Sequence, residues 1–408
     1  MKEGNSLMSE NDEMRMPIKL TIVGNGFDLA IGAKTSYGDF YECLKECFNA
    51  PNLEEFKNHY VFGDNEQLID SFFDIVLNNK DNYFINYFLN FERVFGNWVA
   101  FEKELTRIIS SFDSLITALT SNKLYMDLTR GSGVDLYVRI IDKTDLLQVL
   151  NVYPNNKFFQ VNLRVQDFKT VDKDAAVPIT LKGKSFSTIY EVYKGISDFS
   201  DSFPLLLYND LTVFSNLFSV YLGIVDHFAN FDHIIQDAFD SSFFINYNFT
   251  NYLERIMKEN GLASETVLYI NGLAENLNGK AKEKIVFGID SDTKLLNIGF
   301  EVFTKRIQRS IKDTDVSHLD FILKNNYEDV FIIGHSLNLA DYESLNYILT
   351  RCENGIKPKI TIYFYDEVAR INLIINLKTI LGNEKFDEYQ REGMLELIES
   401  KRAWIKFK

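Results

Sequence analysis

The feature of this sequence that most constrains its fold is an apolar run that ends in a glycine turn and leads into a helix. Residues 18–23 are mostly apolar or β-branched, Gly24 and Gly26 follow directly, and residues 27–31 read as the start of a helix. The same order of strand, small residue and helix recurs after residue 242. Repeated units of this kind pack as a parallel sheet with helices on its faces, so the sequence predicts an α/β fold.

The remaining pattern separates the repeated units from a long interrupting segment. Apolar residues at helical spacing predict helices over about 66–125 and 211–228, and short β-branched and aromatic runs near 131–195 predict a strand-rich segment. In the second half, strands are predicted at 242–247, 267–270, 285–287, 329–333 and 360–365, with helices at 250–260, at 298–324, after 341 and from 367. The interrupting segment is therefore predicted to be a large, mainly helical insertion.

Charge and cysteine content narrow the classes of function. A formal net charge of −15 argues against a broad nucleic-acid surface, because phosphate binding needs a positive patch, and against attachment to anionic membranes. No apolar run reaches the ~20 residues of a membrane-spanning helix, and residues 1–16 lack the apolar core of a signal peptide. Three cysteines without metal-ligand spacing predict reduced thiols and no bound metal. We therefore expect a cytoplasmic protein with a disordered tail at 1–16.

Ligands of open α/β sheets bind at the carboxyl ends of the strands, and several predicted strand ends here carry small or polar residues. At the first of them, the turn formed by Gly24, Asn25 and Gly26 fits a phosphate together with the N-terminus of the next helix. A tight turn without a ligand explains the same residues equally well. Asp28 fits either a helix cap or a contact to a ribose hydroxyl.

The middle strand ends differ in how strongly they indicate a ligand. Asn248 offers both a donor and an acceptor, which suits water or a sugar hydroxyl. Thr250 fits a helix cap better than a ligand contact. Asn271 and Gly288 also follow predicted strands, but a small or polar residue there is often only part of a turn.

The last of these strand ends holds Gly334, His335 and Ser336, with Asp341 downstream. His335 is the only one of five histidines at a glycine-marked strand end. The three residues resemble the middle of a nucleophile elbow, but Asn338 stands where the second glycine is required. A serine hydrolase is therefore disfavoured.

Taken together and in this order, these motifs resemble the AbiH family of bacterial abortive-infection proteins. The stretches that carry the resemblance are Ile22–Ala30, Thr35–Phe40, Trp98 with Glu102, Asn248–Glu254, Phe287–Asp290, and Gly334–Leu337 with Asp341. The resemblance covers about residues 18–370 and is weakest near 131–195. It implies a role in phage defence. More distantly, the sequence is similar to SIR2-like domains, which bind and in some cases hydrolyse NAD.

The SIR2-like resemblance implies roles for individual residues. Gly24 and Gly26 match the first glycine loop, and Asn248 matches the asparagine that orients the ribose or a water. Gly334 and Ser336 match a later Gly-x-Ser that holds the nucleotide. The candidate cofactor contacts are therefore Gly24, Asn25, Gly26, Asp28, Thr250, Gly288, Gly334, Ser336 and Asp341, and the candidate catalytic residues are Asn248, Asn271 and His335.

One departure from the SIR2-like pattern bears on activity. Asn271 stands where the catalytic histidine is expected, and asparagine cannot take up a proton at neutral pH. A general base typically contributes ~10²–10⁴-fold to a rate, so the loss is large. Either the chain binds a nucleotide without efficient catalysis or another group supplies the base. His335 is the candidate for that group, with Asp341 or Asp28 to orient it.

The combined expectation is a Rossmann-like, SIR2-like domain formed by residues 17–50 and 242–408, with the insertion at 51–241. The leading hypothesis is a phage-defence protein that binds NAD or a related nucleotide and hydrolyses it as an NAD glycohydrolase. A non-catalytic nucleotide-binding sensor or scaffold is the alternative, and a nuclease is least favoured because no clustered metal-binding carboxylates are seen. The partners left open are a nucleotide, a phage-encoded trigger protein and further copies of the chain.

Overall fold

The structure is a computed structural model, and its described part contains a parallel sheet, a helical body and a small antiparallel sheet. It describes residues 18–59, 65–90, 98–120, 124–129, 133–139, 159–161, 176–181, 189–226, 233–234, 236–262, 267–277, 280–282, 285–289, 293–312, 314, 325, 327–350, 357–403 and 405–406. The strands are β1 (Lys19–Val23), β2 (Leu124–Thr129), β3 (Gly133–Arg139), β4 (Phe159–Val161), β5 (Ala176–Leu181), β6 (His233–Ile234), β7 (Phe243–Asn246), β8 (Val267–Tyr269), β9 (Glu275–Leu277), β10 (Lys280–Lys282), β11 (Asp329–Ile333), β12 (Lys359–Phe364), β13 (Leu395–Glu399) and β14 (Ile405–Lys406).

The helices of the described residues surround these strands. They are α1 (Asn25–Ala30), α2 (Tyr37–Asn49), α3 (Leu53–His59), α4 (Glu66–Asn78), α5 (Tyr83–Asn90), α6 (Trp98–Thr120), α7 (Ile189–Ile224), α8 (Gln236–Phe239), α9 (Tyr252–Glu259), α10 (Lys305–Ile311), α11 (Tyr342–Thr350), α12 (Glu367–Leu381), α13 (Asn383–Arg391) and α14 (Ser400–Ala403), with 3₁₀ helices at Ile298–Phe303 and Leu339–Asp341. None of the described helices combines the length and the apolar character needed to cross a membrane.

The main sheet has six strands in the order β13-β12-β11-β1-β7-β8. Every neighbouring pair in it is parallel, which confirms the predicted Rossmann-like α/β fold. From β1 the chain proceeds to β7 and β8 on one side, and later to β11, β12 and β13 on the other. The strand order therefore reverses between β1 and β11. Such a reversal is the topological switch point at which ligands of open α/β sheets bind.

The four central strands of the main sheet, β12, β11, β1 and β7, are mostly buried on both faces, which explains their continuous apolar sequence. Leu20 and Ile22 of β1 pack into one core cluster, together with residues of β11, β12, α11 and α12. Val23, Phe27 and Ile333 belong to a second cluster on the other face, with residues of α9. A strand covered on both sides has no solvent-facing positions, so alternation of polar and apolar residues is absent.

The helical body, which comprises α2 to α7, is held together by a third core that is rich in aromatic rings. Phe40 of α2 contacts the rings of Phe88, Phe214 and Phe218, with centroids 5.0–5.6 Å apart. The start of α2 is fixed by its N-cap residue Ser36, whose hydroxyl accepts a hydrogen bond from the Asp39 amide at 3.1 Å. Residues 124–181 include an antiparallel sheet in the order β2-β3-β5-β4.

One predicted strand is not formed, and another prediction lies outside the described residues. The strand predicted at 285–287 is wrong, because this stretch forms no ladder and only Ile289 makes an isolated bridge, to Thr304. Its backbone bonds to side chains and to other backbone groups instead: Ser215 and Lys312 donate to the Ile285 carbonyl, and the Val286 amide donates to the Asn271 carbonyl at 2.9 Å. The predicted tail at 1–16 lies outside the described residues.

The loops that follow β1 and β11 lie directly against each other at the switch point. The Gly24 amide donates to the Ile333 carbonyl at 2.9 Å, and the Gly26 amide donates to the Gly334 carbonyl at 2.8 Å. Gly334 has a φ of +65°, and a Cβ there would lie 2.2 Å from the Phe27 amide nitrogen. Only glycine fits this position, because both its backbone conformation and its surroundings exclude a side chain.

Replacing Gly334 with alanine is expected to destabilise the protein by about 2–5 kcal/mol, combining left-handed strain of ~1–2 kcal/mol with overpacking of ~1–3 kcal/mol. Gly393→Ala is the matched control, since Gly393 has a φ of +68° but nothing within 4 Å of its Cβ position. This control variant should lose only the stability that corresponds to the left-handed backbone strain. Urea unfolding followed by circular dichroism measures both losses, and equal losses would contradict the packing argument.

Candidate functional site

A cavity of about 210 Å³ lies at the carboxyl ends of the central strands, beside the switch point. Its lining combines polar residues from the sheet loops with apolar residues of the helical body. The lining residues are Gly24, Asn25, Gly26, Asp28, Leu29, Thr35, Glu102, Phe218, Leu222, Tyr247, Asn248, Phe249, Thr250, Asn271, Gly334, His335, Ser336, Asn338 and Asp341. All of the predicted site residues except Gly288 are among them.

The structure gives the glycines of the site a role in packing. A Cβ at Gly24 would lie 2.6 Å from the His335 Cα atom, and one at Gly26 would lie 2.8 Å from the Gly334 carbonyl oxygen. A Cβ at Gly288 would lie 2.8 Å from the backbone nitrogen of Lys305. Because the amides of Gly24 and Gly26 already bond to the loop after β11, a phosphate cannot use them without breaking that contact. Phosphate binding by this turn stays a prediction.

A hydrogen-bonded cluster of Asp28, Asn248 and Thr250 forms one wall of the cavity. The two Asp28 carboxylate oxygens accept from Asn248 Nδ2 at 2.7 Å and from the Thr250 hydroxyl at 2.5 Å. Asn248 Nδ2 also donates to the Gly24 carbonyl at 3.2 Å. The helix-cap interpretation of Thr250 is wrong, since Asn251 is the N-cap residue of α9 and makes no side-chain cap bond. The Thr250 hydroxyl is instead committed to Asp28.

The side-chain oxygen of Asn248 is the one polar atom of this cluster without a protein partner. Asn248 is only 4% exposed, and its Oδ1 atom makes no hydrogen bond within the described part of the chain. A buried acceptor left unsatisfied costs about 1–3 kcal/mol, so such atoms usually have a partner. Asn248 is one of the residues that line the cavity, but Oδ1 itself exposes less than 1 Å², so a water or a ligand hydroxyl reaches this acceptor only if the side chain shifts.

A second cluster consists of the buried Lys305 and three residues that line the cavity, Glu102, Asn338 and Asp341. Lys305 Nζ lies 2.7 Å from Glu102 Oε1 and 2.7 Å from Asp341 Oδ1. Asn338 Nδ2 donates to Glu102 Oε2 at 3.2 Å. Glu102 belongs to α6 of the helical body, whereas the other residues come from the second half of the chain. This buried ion pair therefore joins the helical body to the loop after β11.

His335 is engaged through both of its ring nitrogens. Nδ1 accepts a hydrogen bond from the Leu337 amide at 3.0 Å, which places the hydrogen of the neutral ring on Nε2. Nε2 faces Asp341 Oδ2 at 3.6 Å, and the ring packs against Tyr247 with centroids 4.4 Å apart. Asp341 is thus the carboxylate next to His335, and Asp28 is not. In this arrangement neither nitrogen offers a free lone pair to a substrate.

The remaining predicted residues are held by neighbouring side chains and backbone. Asn271 Nδ2 donates to the Tyr247 carbonyl at 3.3 Å, and Arg309 Nη2 donates to Asn271 Oδ1 at 3.4 Å. The Ser336 carbonyl accepts from Asn376 at 3.0 Å. Asn25 Oδ1 accepts from the Thr35 hydroxyl at 2.9 Å.

The cavity has an acidic character. Burial raises the pKa of Asp28 to about 7, although hydrogen bonds from Thr250 and Asn248 oppose the shift. Burial also raises the pKa of Glu102. For Asp341 burial acts in the same direction, but Lys305 and His335 outweigh it and lower the pKa below its usual range. No lysine or arginine is among the described residues that line the cavity, although Lys305 lies 2.7 Å from both Glu102 and Asp341.

The structural role of two residues at the site is not evident from the sequence. Glu102 is part of a motif shared with Trp98, but its place on an amphipathic helix gives no sign that it reaches the sheet. Lys305 lies beside Arg306 in a charged helix that reads as a solvent-facing surface, yet its side chain is only 4% exposed. Among the described residues, no group of three potential metal ligands is found.

A comparison with protein families bears on the identity of the chain. The family model described as "Bacteriophage abortive infection AbiH" matches residues 20–365. The chain belongs to the AbiH family. The matched region contains every residue of the cavity, and the family predicted from the motifs is confirmed. A search of curated proteins and one of solved structures gave no significant match.

Replacing Lys305 with methionine is expected to destabilise this AbiH protein by about 3–5 kcal/mol, because Glu102 and Asp341 would be left buried without a cation. Arg370→Met is the control, since Arg370 pairs with Glu367 at the surface. Such an exposed pair contributes at most ~1 kcal/mol. Urea unfolding of both variants measures the difference, and a small effect at Lys305 would contradict its structural role.

The stability of the protein should depend on pH through Asp28. Its folded-state pKa of about 7 lies above the ~3.9 of an unfolded aspartate, so the folded state loses stability as the pH rises between these values. Asp28→Asn lacks this loss, and its stability relative to the original protein should increase from pH 5 to pH 8, at ~1.4 kcal/mol per pKa unit. Urea unfolding at both pH values checks this, and a constant difference would contradict it.

Proposed function

We propose that this AbiH protein binds NAD, or a closely related nucleotide, and hydrolyses its N-glycosidic bond during phage defence. The observation that carries the proposal is the unpartnered, buried Oδ1 atom of Asn248 on the cavity wall, next to the Asp28 carboxylate. The SIR2-like resemblance of the sequence motifs supports the same substrate. Membership of an abortive-infection family supports the biological setting.

The size and polarity of the cavity favour the nicotinamide-ribose end of the dinucleotide. At about 210 Å³ the cavity is smaller than the roughly 300–1,000 Å³ of a typical ligand pocket, so it suits one end of a dinucleotide rather than the whole molecule. Asn248 Oδ1 is an acceptor, which matches a ribose hydroxyl or a water. Apolar lining from Phe218, Leu222 and Phe249 provides a surface for an aromatic ring.

The acidic wall favours a glycosidic reaction over phosphate chemistry. The nicotinamide ring of NAD carries a positive charge, and cleavage of its bond to ribose passes through an oxocarbenium-like state that is also positive. Asp28 and Glu102 lie in the wall where such charge would develop, and preformed negative groups stabilise it without reorganisation. Because the amides of Gly24 and Gly26 already bond to the chain at the end of β11, we place the pyrophosphate away from this turn, in place of the phosphate site that the sequence suggested.

The reaction needs few participants from the protein. The bond between ribose C1′ and the ring nitrogen breaks, and its electron pair moves to nicotinamide, which leaves as a neutral molecule. A water oxygen forms the new bond to C1′. Asn248 holds either that water or a ribose hydroxyl through Oδ1, while Asp28 and the Gly24 carbonyl fix the orientation of its amide. Products are ADP-ribose, nicotinamide and one proton.

A non-catalytic nucleotide sensor is the second candidate. Both nitrogens of His335 are engaged, and Asn271 is held by Arg309 and cannot act as a base. These contacts favour binding without turnover. A nuclease stands lower, because the described residues hold no cluster of potential metal ligands and the net charge is −15.

Asn248→Ala is expected to lower nicotinamide release from NAD by at least ~10²-fold, because it removes a group that acts on the reacting ribose or water. Asn251→Ala is the matched control, since Asn251 is exposed and its side chain makes no cap bond. Release is followed by chromatography with purified protein, with and without phage lysate. Equal rates in both variants would contradict the proposal, and calorimetric binding without any release would favour the sensor.

A further inference from the structure

The proposed hydrolysis leaves one proton without an assigned acceptor. Water that attacks ribose C1′ must lose a proton, and the described cavity wall offers three carboxyl groups and one imidazole as candidates: Asp28, Glu102, Asp341 and His335. His335 is engaged through both ring nitrogens. Asp341 has an ion pair with Lys305 on one oxygen and faces His335 with the other. Both groups are therefore poorly placed to take the proton.

The last two candidates differ in what surrounds them. Glu102 pairs with Lys305 through one oxygen and accepts from Asn338 with the other, and none of its described hydrogen bonds reaches Asn248. Asp28 bonds directly to the Asn248 amide, and within the described part of the chain its carboxylate has no cationic partner. Each Asp28 oxygen accepts one hydrogen bond and retains a second lone pair for a water.

We propose that Asp28 is the general base of this site, taking a proton from the water that Asn248 Oδ1 holds. This assignment rests on the proposed function and adds the residue that performs the step for which Asn271 is unsuited. The water oxygen bonds to C1′ as the bond to nicotinamide breaks, its proton moves to an Asp28 oxygen, and Asp28 then releases that proton to solvent. Atoms and charge balance without a metal or a redox partner.

The protonation behaviour of Asp28 suits this role. Burial raises its pKa to about 7, so near neutral pH a fraction of the molecules holds the carboxylate while its basicity is high. The phenols of Tyr252 and Tyr269 also face it, and burial raises their pKa values above the usual range. They therefore stay neutral between pH 5 and pH 9 and do not titrate in the range that Asp28 governs.

The other charged groups around Asp28 lie further out. On the side of α9 these are Asp226, Glu254 and Arg255, of which Glu254 accepts from Tyr269 and the other two form an ion pair. In the cavity wall they are Glu102, His335 and Asp341. None of these six forms a described hydrogen bond or ion pair with Asp28. Asp28 is therefore expected to dominate the pH dependence of the rate.

Asp28→Asn tests the assignment with little change in shape. An asparagine at position 28 accepts from Asn248 with its oxygen and donates to Thr250, whose hydroxyl can rotate to accept. For the original enzyme, kcat/KM for NAD should rise about tenfold per pH unit and level off near pH 7. In the variant it should be ~10²–10⁴-fold lower and should lack that break.

Thr250→Val is the second variant and carries the test if Asp28→Asn fails to fold. It removes a hydrogen bond that lowers the Asp28 pKa, so the break in the pH profile should move to higher pH. A group that only positioned Asn248 would change the rate without moving the break.

The outcomes separate this assignment from the function on which it rests. Asp28→Asn with the original rate and pH break, beside an inactive Asn248→Ala, overturns the role of Asp28 and leaves NAD hydrolysis standing. An unmoved break in Thr250→Val also counts against Asp28. No nicotinamide release by the original protein, with or without phage lysate, overturns both.

Discussion

The backbone contact between the loops after β1 and β11 determines the geometry of everything around the cavity. Two amide-to-carbonyl hydrogen bonds join the two segments. Glycines at positions 24, 26 and 334 allow the backbones to lie this close, because a Cβ at any of them would clash with the other segment. The strand order reverses at the same place, which opens a crevice beside the contact. Asp28 on α1 and His335 on the opposite loop are thereby brought to one cavity.

Two clusters with different tasks line that cavity. The ion pair of Lys305 with Glu102 and Asp341 is buried and fully paired, which fits a structural joint between the helical body and the sheet. Among the described residues, Asp28 and Asn248 have no cationic partner, and Asn248 Oδ1 accepts no hydrogen bond. This pair therefore suits a role in the proposed reaction. The insertion thus contributes Glu102 to the wall of the cavity.

The sequence predicted the glycine turns, the family and five of the six strands of the main sheet, because these depend on local pattern, but it missed β13. It did not predict contacts between distant residues. Asp28 and Asn248 are bonded although 220 positions separate them, and each one alone reads as a turn or cap residue. Lys305 gave no signal, since a lysine in a charged helix is usually exposed. The error at 285–287 has a related cause, because side chains and a single backbone contact from distant segments bond this stretch in place of a strand ladder.

The most direct test is a crystal structure of the protein with ADP-ribose, the product of the proposed cleavage. The account predicts that the ribose at the cleaved end lies in the cavity, with a hydroxyl within hydrogen-bond distance of Asn248 Oδ1 and Asp28 beside the C1′ atom. The phosphates should lie away from the turn at 24–26. A pyrophosphate seated on the turn at 24–26, with the ribose away from Asn248, would contradict it.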